Sequence, residues 1–314
     1  DRFEAEARDF RKKVGIDTRI YDFDQFPDHD WIASLWNWFT DRMILYREAL
    51  FTNAVAYGLL DDREAGEFCR RFLLLLAGWP LWNHPWMEHR GFRTYFPAAE
   101  FAGAYALAYD MTYDILSPDE RAKMRGALMD RFVRPAFHTY VEWDQITSQS
   151  SNWISHIAGA ALESLTALYG DDPSEGDLEP WLTGFLLKEH RFISTAFVPD
   201  GAYGEGYRYY SFAMQSLART VPAVERVFSV DLSGPVKGSW RETLWAGIVR
   251  RNIAFTCGDS ERHLKKEAQA YWIGGQAGPF NSWAWLLERT RDEHLSWLYH
   301  HVREFETLQE VLHE

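Results

Sequence analysis

Apolar residues recur every three or four positions along most of the chain, and runs that alternate apolar with polar are nearly absent. That period belongs to amphipathic helices, not strands. Residues 3–14 carry a thin apolar stripe between charged positions, and over 31–60 the stripe is Leu35, Trp38, Phe39, Leu45, Ala49 and Val55. Helices are predicted next over 61–76 and over 98–116, the second rich in Ala and Tyr. Ser117-Pro118-Asp119-Glu120 is a start signal: a hydroxyl cap, a proline at the first position and acids in the first turn. The helix it opens reaches residue 140 or so, and others come over 152–169, 181–195, 209–228, 240–255 and 280–302. About ten helices on short connections predict an all-α chain of antiparallel helix pairs. No repeat of fixed period is visible, which disfavours a regular solenoid. The architecture expected is one domain over residues 1–314, an incomplete or closed α/α toroid with a central groove.

Composition narrows the partners. The net charge of −13 leaves no basic stripe for nucleic acid. A cleft can still be locally basic on an acidic protein, and His84, Arg90, Arg93 and Arg208 are the candidates. The longest apolar run, Phe72 to Pro80, is too short to span a membrane and ends at a proline. The two cysteines, Cys69 and Cys257, sit in no metal-ligand spacing, so no metal and no cofactor are expected. The 15 tryptophans exceed the usual share. Each fills helix gaps or offers a flat face to a sugar ring; Trp82, Trp153 and Trp272 are the stacking candidates.

Two stretches concentrate chemistry. Pro199-Asp200-Gly201-Ala202-Tyr203-Gly204-Glu205-Gly206-Tyr207-Arg208-Tyr209-Tyr210 packs two carboxylates, one guanidinium and four phenols into a glycine-broken turn before an apolar helix. Glu205 either binds a sugar hydroxyl or supports the turn from behind; Tyr203 and Tyr210 are expected to pack. Thr147-Ser148-Gln149-Ser150-Ser151-Asn152-Trp153-Ile154-Ser155-His156 runs hydroxyls into a helix whose apolar face is Ile154, Ile157, Ala161, Leu165 and Leu168. Asn152 and His156, four apart, share a different face. Asn152 or Ser151 is a plain helix cap on one reading and Asn152 a substrate donor on the other. Asp259 either touches sugar or caps a helix.

These pieces, in order, resemble the heparinase II/III-type polysaccharide lyases and the related dermatan-sulfate epimerases. The similar segments are Trp82-Asn83-His84-Pro85, Ala106-Leu107-Ala108-Tyr109-Asp110 before Leu116-Ser117, Asn152-Trp153 before Ala158-Gly159-Ala160-Ala161, Asp200-Gly201 with Glu205-Gly206-Tyr207-Arg208-Tyr209, and Gly258-Asp259-Ser260. The resemblance implies an α/α toroid and cleavage of a uronic-acid polysaccharide by β-elimination. It implies that Asn152 hydrogen-bonds the uronate carboxylate and that Tyr209 is the catalytic phenol. Trp153, His156, Glu205, Arg208, His84, Arg90, Arg93 and Asp259 are then the substrate-binding candidates. Many relatives have histidine where this chain has Trp153. They also carry a β-sandwich after the toroid, and no strand-rich sequence is seen here up to Glu314. The partner expected is an anionic polysaccharide or oligosaccharide, in a secreted or periplasmic setting, with neither nucleic acid nor membrane. The alternatives are a glycoside hydrolase, which needs two opposed carboxylates drawn from Asp110, Glu100, Glu205 and Asp259, and a toroid that only binds carbohydrate.

Overall fold

The computed structural model describes residues 2–13, 39–84, 87–88, 90–144, 151–171, 178–197 and 207–232, with 285, 287–289, 291, 293 and 296. Nearly all of them are helical and none forms a strand, so the described chain is all-α. It divides into two compact units, Asp1–Gln145 with His156–Leu186, and Ile146–Ser155 with Leu187–Glu314.

The first unit begins with α1 (Arg2–Lys13), α2 (Asp41–Leu60) and α3 (Arg63–Ala77). A two-residue turn joins α2 to α3. Asp61 takes the left-handed conformation (φ 53°), which aspartate tolerates, and donates its N–H to Tyr57 O at 3.1 Å. Asp62 then caps α3 by accepting from Ala65 N at 3.1 Å. So short a link makes the pair antiparallel. α1 is fastened to this hairpin by Arg11, whose Nη1 donates to Asn53 Oδ1 (2.7 Å) and Asp62 Oδ2 (3.4 Å), while Ala7 packs on Ala56 and Ala65.

α4 (Phe96–Met111) is the centre of this unit. It is apolar on every side, which is the pattern of a helix surrounded by others. Its small residues admit close neighbours: a Cβ on Gly103 would run into the Glu163 carboxylate. The helix starts at Phe96 because Pro97 suits the first turn. It stops at Met111, short of the predicted 116, where a 3₁₀ turn (Tyr113–Ile115) intervenes. Trp82 is fully buried, its Nε1 donating to Leu76 O (3.0 Å), with the rings of Phe101 and Tyr105 both 4.8 Å from it.

α5 (Pro118–Leu128) begins at the predicted signal. Glu120 N donates to Ser117 Oγ (3.3 Å), and Ser117 N donates back to Glu120 Oε2 (2.9 Å). Arg70 and that Ser117 N–H together hold the Glu120 carboxyl down at about 2. The helix runs on through a π segment (Met129–Val133), α6 (Arg134–Phe137) and a second π segment (His138–Glu142). Pro135 explains the irregularity. It has no N–H to donate and its ring crowds the carbonyl four residues back, and a widened turn relieves both.

α7 (Asn152–Leu168) and α8 (Glu179–Ala196) each pass from one unit to the other, and α9 (Tyr207–Phe228) belongs to the second. These three match the predictions over 152–169, 181–195 and 209–228. The predicted helix over 240–255 lies outside the described residues, as does most of 280–302. After α7, Gly170 turns the chain at φ 80° and delivers Asp171 into the first unit. Asp171 accepts from the hydroxyls of Tyr109 and Tyr113 and from Arg125 Nη1 (3.2 Å). Burial alone would raise its carboxyl; these three donors outweigh burial and hold it below its ordinary value. Asp171→Ala removes the carboxylate paired with the buried Arg125 and is expected to cost about 3–5 kcal/mol, read as a fall in the urea midpoint.

Candidate functional site

α7 carries the first of the two chemistry-bearing stretches, and it is buried on almost every face. The face shared by Asn152 and His156, polar in the sequence, is therefore covered as well. His156 is 3% exposed. Its Nδ1 lies against Glu100 of α4, and its ring meets Phe96 edge-on at 5.4 Å. The second Glu100 oxygen accepts from Arg47 Nη1 of α2, and Arg47 also donates from Nε to Glu48 Oε1 (2.9 Å). Burial would lower the Arg47 guanidinium, but Glu100 and Glu48 outweigh it and raise its value. One buried carboxylate thus clamps α2, α4 and α7. It was one of the acids available to a glycoside hydrolase; here it is engaged by two partners and turned into the core.

Asn152 opens α7 and is buried to 4%. The position before the helix, where a cap belongs, is Ser151. One turn on, Ser155 Oγ donates to Asn152 O (2.8 Å), and Ser155 O accepts from Ser216 Oγ of α9 (2.8 Å). Both serines are fully buried. Tyr209 lies two turns before Ser216 on the same face of α9, about 10 Å along the axis. The second unit therefore joins the helix that carries the amide to the helix that carries the phenol. Tyr209 is half-buried, its ring 6.4 Å from that of Phe212. Trp153 beside Asn152 is also half-buried.

Arg208 is the second residue of α9. Glu205, Asp259, Trp272 and Tyr203 lie outside the described residues, as do the side chains of Arg208 and Tyr210. In the first unit His84 is buried, with Phe39 edge-on at 5.2 Å, and burial pushes its imidazole down to about 4. It supplies no positive charge at neutral pH, which removes it from the expected basic patch. Trp82 is core and offers no sugar a face. Arg90 and Arg93 are exposed. Arg93 lines a cleft of about 490 Å³ in the first unit with Glu88, Asp130, Arg131 and Trp143.

Several residues escaped the sequence reading. Arg47 and the Ser155–Ser216 link gave no signal. Glu189 did: it falls on the apolar stripe of α8, with Phe185, Phe192, Ile193 and Ala196, and is fully buried. Trp143, 55% exposed, carried no mark to separate it from the other tryptophans. Among the described residues no group of His, Cys, Asp and Glu is placed to hold a metal ion, and no helix is long and apolar enough to cross a membrane. Comparison with models of known protein families and with curated proteins finds no match. The likeness to the heparinase II/III-type lyases therefore rests on its motifs.

Two outcomes are expected from this geometry. Glu100→Ala leaves Arg47 and His156 without their shared carboxylate and costs about 3–5 kcal/mol. A double-mutant cycle with Arg47→Ala gives a coupling of about 0.5–3 kcal/mol; a coupling of zero would show that the pair holds nothing. For His84, the unfolded chain binds a proton near 6.5 and the fold only near 4. Acid between those values favours unfolding, so the stability His84 contributes is full above 6.5 and lost as pH falls toward 4. His84→Gln is expected to flatten this part of the curve of urea midpoint against pH.

Proposed function

We propose that this chain is the helical part, arranged as an α/α toroid, of a polysaccharide lyase that cleaves a uronic-acid polymer by β-elimination. The observation that carries the reading is the buried hydrogen bond from Ser216 Oγ to Ser155 O. It links the first turn of α7 to the α9 face that bears Tyr209. An amide donor and a phenol on adjoining helices are what this elimination needs.

The C5 proton of a uronate is weakly acidic because the neighbouring carboxylate is already negative. Its removal builds a dianionic, enolate-like species, and the site must neutralise that charge as it forms. The Asn152 side-chain amide donates to the carboxylate, and the N-terminus of α7 adds its positive dipole end. A base then takes the C5 proton, the C4–O4 bond breaks with its electrons passing to oxygen, and O4 takes up a proton. As acid to O4 Tyr209 needs less tuning than as base, a role that calls for a cation near the phenol. The acidic net charge is no obstacle where the local donors are cationic or neutral.

The new C4–C5 double bond absorbs in the ultraviolet, so a panel of uronate polymers tests the reaction directly. Tyr209→Phe is expected to slow its appearance by about 100-fold or more. Asn152→Ala should slow it by about 100- to 1,000-fold with the circular dichroism unchanged. Full activity in Tyr209→Phe, or no double-bond product from any polymer with the unaltered chain, overturns the proposal. Loss of fold in Asn152→Ala would return Asn152 to a structural role.

A further inference from the structure

We propose that the first unit holds a separate subsite for an acidic sugar, built from Trp143 and Arg93 in the cleft beside the first π segment. The acidity of that sugar rests on the lyase reading; the subsite itself rests on the geometry of the cleft. Its volume, about 490 Å³, is that of a small-ligand site. Trp143 stands 55% exposed, yet it is not loosely held. His138 lies 4.2 Å from its ring at a tilt of 53°, and His138 Nδ1 is in turn fixed by Glu142 Oε2 at 2.8 Å. The Trp143 backbone N–H donates to His138 O at 3.1 Å, and Asp144 comes next in the left-handed conformation (φ 48°). A rigid indole left open presents a flat apolar face, which suits the C–H face of a pyranose.

Two of the residues lining the cleft are cations, Arg131 and Arg93. Arg131 donates to Ala77 O (3.3 Å), and Arg134 pairs with Asp130, so that acid is neutralised. Arg93 is exposed, its backbone anchored by donation from its N–H to Thr139 Oγ1 (3.2 Å). Among the described residues no carboxylate engages its guanidinium. A guanidinium fork matches a carboxylate with two parallel hydrogen bonds. Glu88, steadied by Asn83 Nδ2 at 2.9 Å, supplies acceptors for sugar hydroxyls. Ring, cation and acceptor within one cleft specify a sugar with an apolar C–H face, a carboxylate and hydroxyls.

Calorimetric titration of the full chain with a glucuronate-containing tetrasaccharide, against maltotetraose as the neutral control, tests this. The acidic tetrasaccharide is expected to bind at least about tenfold more tightly than the neutral one. Trp143→Ala and Arg93→Gln should each weaken it about tenfold, and added salt should weaken the unaltered chain more than Arg93→Gln. Trp143→Phe keeps a ring and is expected to keep most of the affinity, which separates lost stacking from lost fold. No binding by the unaltered chain, or affinity indifferent to both substitutions with circular dichroism intact, overturns the subsite. The double-bond assay on the same protein separates the two proposals. Product formation with affinity blind to Trp143 and Arg93 sinks the subsite and spares the lyase reading. Binding through both residues without product from any uronate polymer sinks the lyase reading and spares the subsite.

Discussion

A carboxylate removed from water must be paired, and Glu100 is paired twice. Its helix is apolar on all sides, so burial of apolar surface says almost nothing about how α4 is rotated about its axis. The charge does. One of its oxygens accepts from Arg47 of α2 and the other lies against His156 of α7. Three helices are thereby set in rotation and height by a single group. The neighbouring small residues, Gly103 among them, allow the close approach that this needs.

Within the second unit, α7 is fastened to α9 through serines. Ser155 and Ser216 have side chains short enough for two helices to touch, and each hydroxyl satisfies a carbonyl already bonded within its helix. A positioned amide on a rigid helix is worth more to a developing charge than a mobile one, because nothing has to reorganise during the reaction.

The irregular helix after Ser117 has a different origin. Pro135 prevents a continuous α-helix, and each π turn takes in an extra residue, which rotates the downstream part of the helix by about 100°. Trp143 ends the second π segment and is turned outward on a ring of support from His138. The defect imposed by one proline thus becomes the wall of a cleft.

The sequence by itself determined that the described residues are helical, and it located most of their helix ends. Ser117 with Glu120 and the spacing of Leu165 and Leu168 depend only on neighbours within a few residues, and local chemistry decides them. It also brought Asn152 and Tyr209 forward, through motif likeness. Tertiary structure decided what covers each face. His156 of α7, Glu100 of α4, the imidazole of His84 and the indole of Trp82 all read as available groups, and all are buried. Glu189 on an apolar stripe was the one such case the pattern itself signalled. Helical period tells which residues lie together on a helix, while the partner that meets them comes from 50 or so residues away and leaves no mark in the local pattern.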